Sequence, residues 1–163
     1  MIINIKNKET LTIDLFKFKC STGKNGLTKI KKEGDGKTPK GTFSIGDLYY
    51  REDRNSKIQT NLKIIKIQKN MGWCDDINSQ NYNKLIKVNN KIKHERLYRN
   101  DYKYDLMIPI NYNVNPRVKN KGSAIFIHLT KNYNKTAGCI AISKKDFFIL
   151  LKIINKNTKI KIG

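Results

Sequence analysis

The chain of 163 residues is long enough to build one domain around its own apolar core, so disulfide staples are not needed for folding. Hydrophobic residues make up 38% and charged residues 29%, a balance suited to water, and no run approaches the roughly eighteen apolar residues of a membrane-spanning helix. Lys and Arg number 34 against 13 Asp and Glu, a net charge of +21 that attracts anions, but the lysines are spread evenly and Arg is scarce, so no specific nucleic-acid role is expected.

From the N-terminus, residues 2–5 read as a strand paired across Asn7-Lys8 with a second strand. In that second strand Leu11, Ile13 and Leu15 alternate with polar residues, and Phe16, Phe18 and Cys20 continue in changed phase. Residues 21–40 hold Gly23, Gly26, Gly34, Gly36 and Pro39 and read as irregular. Short strands follow at 42–45 and 62–68. Residues 71–90, polar and rich in Trp, Tyr, Asn and Asp, read as loops. Strands return at 106–110 and 123–129. The second of these, Ala124-Ile125-Phe126-Ile127-His128-Leu129, is apolar on both faces and is expected in the middle of a sheet. Ser143 is suited to cap a helix, with Asp146 three residues on, and Phe147, Phe148, Leu150, Leu151 and Ile154 give that helix one apolar face to about Asn155. Ile160 and Ile162 alternate with lysines as a closing strand. The expectation is a single domain over residues 1–163, mostly β, of twisted mixed sheets in a sandwich-like arrangement with one main helix packed on the sheet.

The cysteines are Cys20, Cys74 and Cys139, an odd number without a Cys-x-x-Cys pair, which argues against a disulfide framework or a zinc knuckle and leaves one thiol open to chemistry. Thr136-Ala137-Gly138-Cys139-Ile140-Ala141 puts a cysteine behind a glycine, where a tight turn lifts the thiol into a cleft. His128 ends the apolar strand eleven residues earlier. Its imidazole can take the thiol proton or, when charged, stabilise a thiolate. The spacing equally fits a buried cysteine and a core histidine. No metal or cofactor is expected, because Asp75-Asp76 lacks a paired His or a spaced third acid. Cys20 and Cys74 read as packing residues, and His94, Glu95, Arg96 and Asp101 as surface charges.

A second motif narrows the choice. Ser21-Thr22-Gly23-Lys24 is followed by Thr38-Pro39-Lys40-Gly41-Thr42-Phe43. With His128 and Thr136-Ala137-Gly138-Cys139, the sequence resembles the L,D-transpeptidase catalytic domain family of the YkuD type, which remodels bacterial peptidoglycan. The likeness runs over most of the chain, through Arg51-Glu52-Asp53-Arg54, Gly72-Trp73-Cys74-Asp75-Asp76, Tyr82-Asn83, Tyr104-Asp105 and the residues 122–128. It departs from the family at Ala137, where many members have a second His, at Leu129 and at Ala141.

The resemblance implies that Cys139 attacks the carbonyl of the third stem-peptide residue. A D-amino acid leaves, a thioester remains, and an amine or water takes the acyl group. It implies His128 as base, Gly138 and Cys139 N–H groups as the oxyanion hole, and a backbone carbonyl or Thr136 orienting His128. Trp73, Asp75, Asp76, Tyr82, Asn83, Thr38 and Ser123 are candidates to line the stem-peptide groove; a well-bonded loop is the alternative for the first five. The implied partner is a peptidoglycan stem peptide or muropeptide, and a monomer is expected. A module of another class, holding wall or nucleic-acid polyanions through charge alone, would bind without Cys139. The family works outside the inner membrane, whereas the sequence as it starts, Met1-Ile2-Ile3-Asn4-Ile5-Lys6, lacks the features of a secretory signal.

Overall fold

A computed structural model describes residues 1–88 and 90–163. The chain begins with β1 (Ile2–Asn7), β2 (Thr10–Ile13) and β3 (Phe16–Ser21), an antiparallel meander. The change of phase in the sequence marks a reversal: Asp14 takes φ +50° and Leu15 stands in solvent, so the expected single strand is two. β4 (Leu27–Thr28) and β5 (Thr38–Pro39) are a minimal parallel pair within the stretch read as irregular. Next come β6 (Gly41–Ser44), β7 (Leu48–Tyr50) and β8 (Ile64–Lys66).

Residues 71–90 are not all loop. β9 (Met71–Cys74) is flanked antiparallel by β10 (Leu85–Lys87) and β11 (His94–Arg96) in a separate small sheet. These strands are short and carry polar residues, which hid their period. Asn89, inside that expected loop, lies outside the described residues. The chain continues through β12 (Leu106–Pro109), β13 (Phe126–Leu129), β14 (Ile140–Ile142), α1 (Lys144–Ile153) and β15 (Lys159–Ile162). Ser143 caps α1 as expected, its hydroxyl accepting from the Asp146 N–H at 3.1 Å.

The main sheet has ten strands in the order β6-β15-β1-β2-β3-β14-β13-β12-β7-β8. It is mixed: β13 runs parallel to β14 and antiparallel to β12. The architecture is therefore mostly β, with α1 the only helix among the described residues. α1 lays Phe147, Leu150 and Leu151 into a core shared with Ile3, Ile5, Leu11, Ile127 and Ile142. No helix is long and apolar enough to cross a membrane.

β13 is an interior strand, as its apolar sequence suggested, and all four of its residues are buried. Successive side chains on a strand point to opposite faces. Ile127 and Leu129 join the core with the helix, while Phe126 enters a second cluster with Tyr104, Met107, Ala124 and Cys139. The strand starts later than residue 123 because Ala124 holds φ +53°, a left-handed conformation unusual for a residue with a Cβ. Its N–H is held by Asn83 Oδ1 at 3.1 Å.

Candidate active site

Cys139 precedes β14 and His128 sits in β13. Ile127 pairs with Ile140 and His128 with Ala141, so Cys139 falls beside Phe126, two residues before His128 on the same face. The Phe126 N–H donates to Cys139 Sγ at 3.4 Å, and the thiol donates to the Ala124 carbonyl at 3.3 Å. The Tyr104 ring meets both Phe126 and His128 edge-on, with centroids at 5.7 and 5.4 Å. Cys139 and His128 are both buried, and both border a cleft of about 530 Å³, a volume suited to a small ligand or a few peptide residues.

The histidine's tautomer follows from its partner. Nδ1 lies 2.9 Å from the Leu129 carbonyl, which can only accept, so Nδ1 carries the proton and Nε2 is the basic nitrogen of the neutral ring. Burial lowers the His128 pKa to about 4; the Leu129 carbonyl opposes that shift, and Lys103 and Arg99 add to it. Burial pushes the Cys139 thiol up to about 12, with Glu95 adding and the Phe126 N–H and Lys31 opposing. At neutral pH the resting pair is a neutral thiol and a neutral imidazole.

The turn before Cys139 is heavily braced. Gly138 has φ +148°, and a Cβ there would come within 2.8 Å of the Lys37 carbonyl oxygen. Its own carbonyl accepts from Thr38 Oγ1 at 2.8 Å, and that oxygen in turn accepts from the Gly23 N–H at 2.8 Å. Thr136 Oγ1 donates to the Cys139 carbonyl at 2.6 Å and accepts from the Gly138 N–H at 3.1 Å. Thr136 thus shapes the turn while the Leu129 carbonyl orients His128. The Gly138 N–H is engaged by Thr136.

The other sequence candidates divide. Asp75 and Ser123 line the cleft with Cys139, His128, Gly138 and Thr136. Trp73, Tyr82, Asn83, Thr38 and Asp76 do not. Trp73 donates from Nε1 to Asn83 Oδ1 at 2.9 Å and packs edge-on against Phe126. Asn83, buried with φ +56°, also donates to the Tyr112 and Asn113 carbonyls. The Tyr82 hydroxyl donates to Glu33 and accepts from the Gly122 N–H at 3.0 Å. Asp76 closes a turn by accepting from the Asn78 N–H at 2.9 Å. Trp73, Tyr82, Asn83 and Thr38 brace segments beside the cleft, whereas Asp76 closes only its own turn. Cys20 and Cys74 are buried, in keeping with packing roles.

Sequence reasoning missed several charged residues of the cleft. Glu95, expected on the surface, lines it from β11 and accepts from the Tyr104 hydroxyl. Burial raises the Glu95 pKa, against the Tyr104 bond and Arg99. Asp75, which the sequence did single out, is raised by burial too, against Lys93, whose Nζ stands 3.8 Å from Oδ2, and among the described residues its buried Oδ1 has no partner. Glu33 and Lys31 complete the charged lining near Ser123 and Gly138. The single signal for any of them was adjacency to a motif residue, which is weak in a chain with this many charges. Among the described residues no group of three or more His, Cys, Asp or Glu is placed to hold a metal ion.

Comparison with known proteins gives this arrangement its family. Residues 1–162 match the YkuD model, the L,D-transpeptidase catalytic domain. The chain belongs to that family. Among solved structures it is similar to the helical cell shape determining protein Pgp2 of Campylobacter jejuni, at 18% identity and a TM-score of 0.54, over 99% of this chain and 46% of that one. An L,D-transpeptidase from Mycobacterium smegmatis is 15% identical with a TM-score of 0.42, over 99% of this chain and 57% of that one. The chain therefore spans about half the length of these two proteins. No similar sequence was found among the curated proteins.

Proposed function

We propose that this chain is a cysteine-dependent L,D-transpeptidase acting on peptidoglycan stem peptides. The observation that carries the reading is the cleft shared by the Cys139 thiol and the His128 imidazole, with Nδ1 tied to the Leu129 carbonyl so that Nε2 is the basic nitrogen. Membership of the YkuD family supports it.

In this mechanism Nε2 takes the thiol proton as Sγ attacks the carbonyl of the third stem residue. The carbon–nitrogen bond to the terminal D-amino acid breaks, and the imidazolium returns the proton to the leaving amine. A thioester on Cys139 remains. Because Thr136 engages the Gly138 N–H, the Cys139 N–H is the principal backbone donor to the oxyanion. An incoming neutral amine then attacks the thioester, the carbon–sulfur bond breaks, and the proton the amine gives up passes through His128 to the Cys139 thiolate. If water takes the acyl group instead, the product is that of an L,D-carboxypeptidase. Trimming or cross-linking of stem peptides would bear on cell shape, the property for which Pgp2 is named.

The test is incubation with a defined tetrapeptide muropeptide, with and without an amine acceptor, followed by mass spectrometry of products and intact protein. The expected result is an adduct on Cys139 equal to the donor minus its terminal residue, and an amine-dependent product. An adduct on Cys20 or Cys74, or turnover by Cys139→Ala protein, would refute the assignment of the nucleophile.

A further inference from the structure

Lysines crowd this surface, yet among the described residues Lys31 is the only buried one, its side chain 4% exposed. Burying a cation costs free energy unless it is paired and hydrogen-bonded. Lys31 is both. Its Nζ donates to Asp35 Oδ1 at 2.6 Å and to the Lys32 carbonyl at 3.2 Å. The same carboxylate also accepts from the Lys32 and Lys37 N–H groups, each at 2.9 Å.

The path of the side chain is built by two glycines. A Cβ on Gly122 would come within 2.9 Å of Lys31 Cγ and Cε, so the stem lies where that glycine has no side chain. At the far end, Nζ stands 3.7 Å from where a Cβ on Gly138 would be. An ammonium has three protons, and two are accounted for. Lys31 is part of the cleft lining, beside the residue that precedes Cys139. The charge is felt at the thiol, where it opposes the upward push of burial. Glu33, the nearest acid in sequence on the cleft wall, already accepts from Tyr82 and Ser123 through Oε2.

We infer that Lys31 is a specificity-determining residue that binds the free α-carboxylate of the substrate's C-terminal residue. The inference rests on the peptide-cleaving reading above and deepens it. The carboxylate carbon of a terminal residue lies only about 3–4 Å from the scissile carbonyl carbon along the chain. A peptide seated for attack by Cys139 with its terminal residue turned toward Gly138 would carry its carboxylate toward Lys31. Such a contact selects donors that end one residue past the scissile bond. A donor with a further residue, or with an amide in place of the acid, brings no charge there.

Binding decides this without turnover. Isothermal titration calorimetry on Cys139→Ala protein compares a tetrapeptide stem with its C-terminal carboxamide, in the Lys31 parent and in Lys31→Met and Lys31→Arg. The free acid is expected to bind about 10–100-fold tighter than the amide in the parent, the worth of a hydrogen bond to a charged group. In Lys31→Met the ratio should fall to within about threefold by loss of acid binding alone, with Lys31→Arg recovering part of it. Equal binding of acid and amide by the parent overturns the inference, and so does undetectable binding of both; neither result needs a Lys31 variant to fold. A Lys31→Met protein that loses both ligands equally also overturns it, since the lysine would then serve the fold or the oxyanion. Thioester formation by the unmodified protein, measured separately, stands or falls with the proposed reaction and not with Lys31.

Discussion

The two faces of β12 and β13 make an instructive comparison. Leu106, Ile108, Ile127 and Leu129 face a large core of aliphatic and aromatic side chains closed by α1. Met107, Phe126 and the residues around them face a smaller cluster that includes Cys139 and Tyr104 and lies against His128. The same two strands thus secure the fold on one side and hold a thiol, an imidazole and a phenol on the other. Polar groups on the second face are buried at a cost that the first face must offset. Side chains alternate with a period of two, so a slip of one residue would exchange the faces. Register therefore decides which of these groups meet.

Substitutions on the two faces should separate function from stability. Cys139→Ala is expected to abolish turnover at a cost in stability of about 1–3 kcal/mol, because the Phe126 N–H and the Ala124 carbonyl lose their bonds to the thiol while little volume is lost. His128→Ala should slow acylation by about two to four orders of magnitude, the usual worth of a positioned base, in a rapid-quench assay of the adduct. On the opposite face, Phe147→Ala empties a fully buried position and should cost about 3–5 kcal/mol in urea unfolding while leaving the activity per folded molecule intact. Loss of stability in Cys139→Ala as large as in Phe147→Ala would break the distinction.

The second face should also carry a pH signature. His128 titrates near 4 when folded and near 6.5 when unfolded. Between those values the unfolded chain binds the extra proton, so this residue's contribution is whole above about 6.5 and is lost as pH falls through about 4. The loss amounts to about 3 kcal/mol. Glu95 and Asp75, both raised by burial, slope the other way, contributing at low pH and losing that contribution as pH rises. The difference between wild type and His128→Ala across pH 4 to 6.5 isolates the histidine. Parallel stability curves for the two proteins over that window would remove the buried, neutral imidazole from the account.

How legible all this was depended on whether a feature was local. The apolar run that carries His128, the Gly138-Cys139 turn and the Ser143 cap are each set by adjacent residues; the cap appears as expected, and the strand only from Phe126 onward. Family resemblance joined the first two. Glu95 and Lys31 were not legible, because nothing in a charged segment says which charge a distant strand or glycine will bury. The small sheet of β9, β10 and β11 was missed for a related reason: its strands are three or four residues long, too short for periodicity to stand out. Trp73, Tyr82 and Asn83 belonged to the motif but brace the cleft and do not line it, a distinction that only the packing draws.

Thr38 offers the finest cut between the two faces, since it lies in neither yet ties the Gly138-Cys139 turn to the segment at Gly23. Its hydroxyl bridges the Gly23 N–H and the Gly138 carbonyl, residues far apart in sequence, and its side chain is fully buried. The surrounding backbone repeats the link, with the Lys24 N–H donating to the Thr136 carbonyl at 2.8 Å and the Thr136 N–H donating to the Thr22 carbonyl at 3.0 Å. Thr38→Val keeps the shape and removes the hydroxyl, leaving a buried donor and a buried acceptor unpartnered at a cost of about 1–3 kcal/mol. Two backbone bonds still hold the turn, so the fold should persist. Freed from Thr38, the Gly138 peptide can shift, and small displacements of a reacting group carry large rate penalties, so acylation should fall by about tenfold. Thr38→Ser restores the hydroxyl without the methyl and should recover most of the rate. If valine and serine variants acylate alike, the bond from Thr38 to Gly138 does not position Cys139, and the backbone links alone suffice.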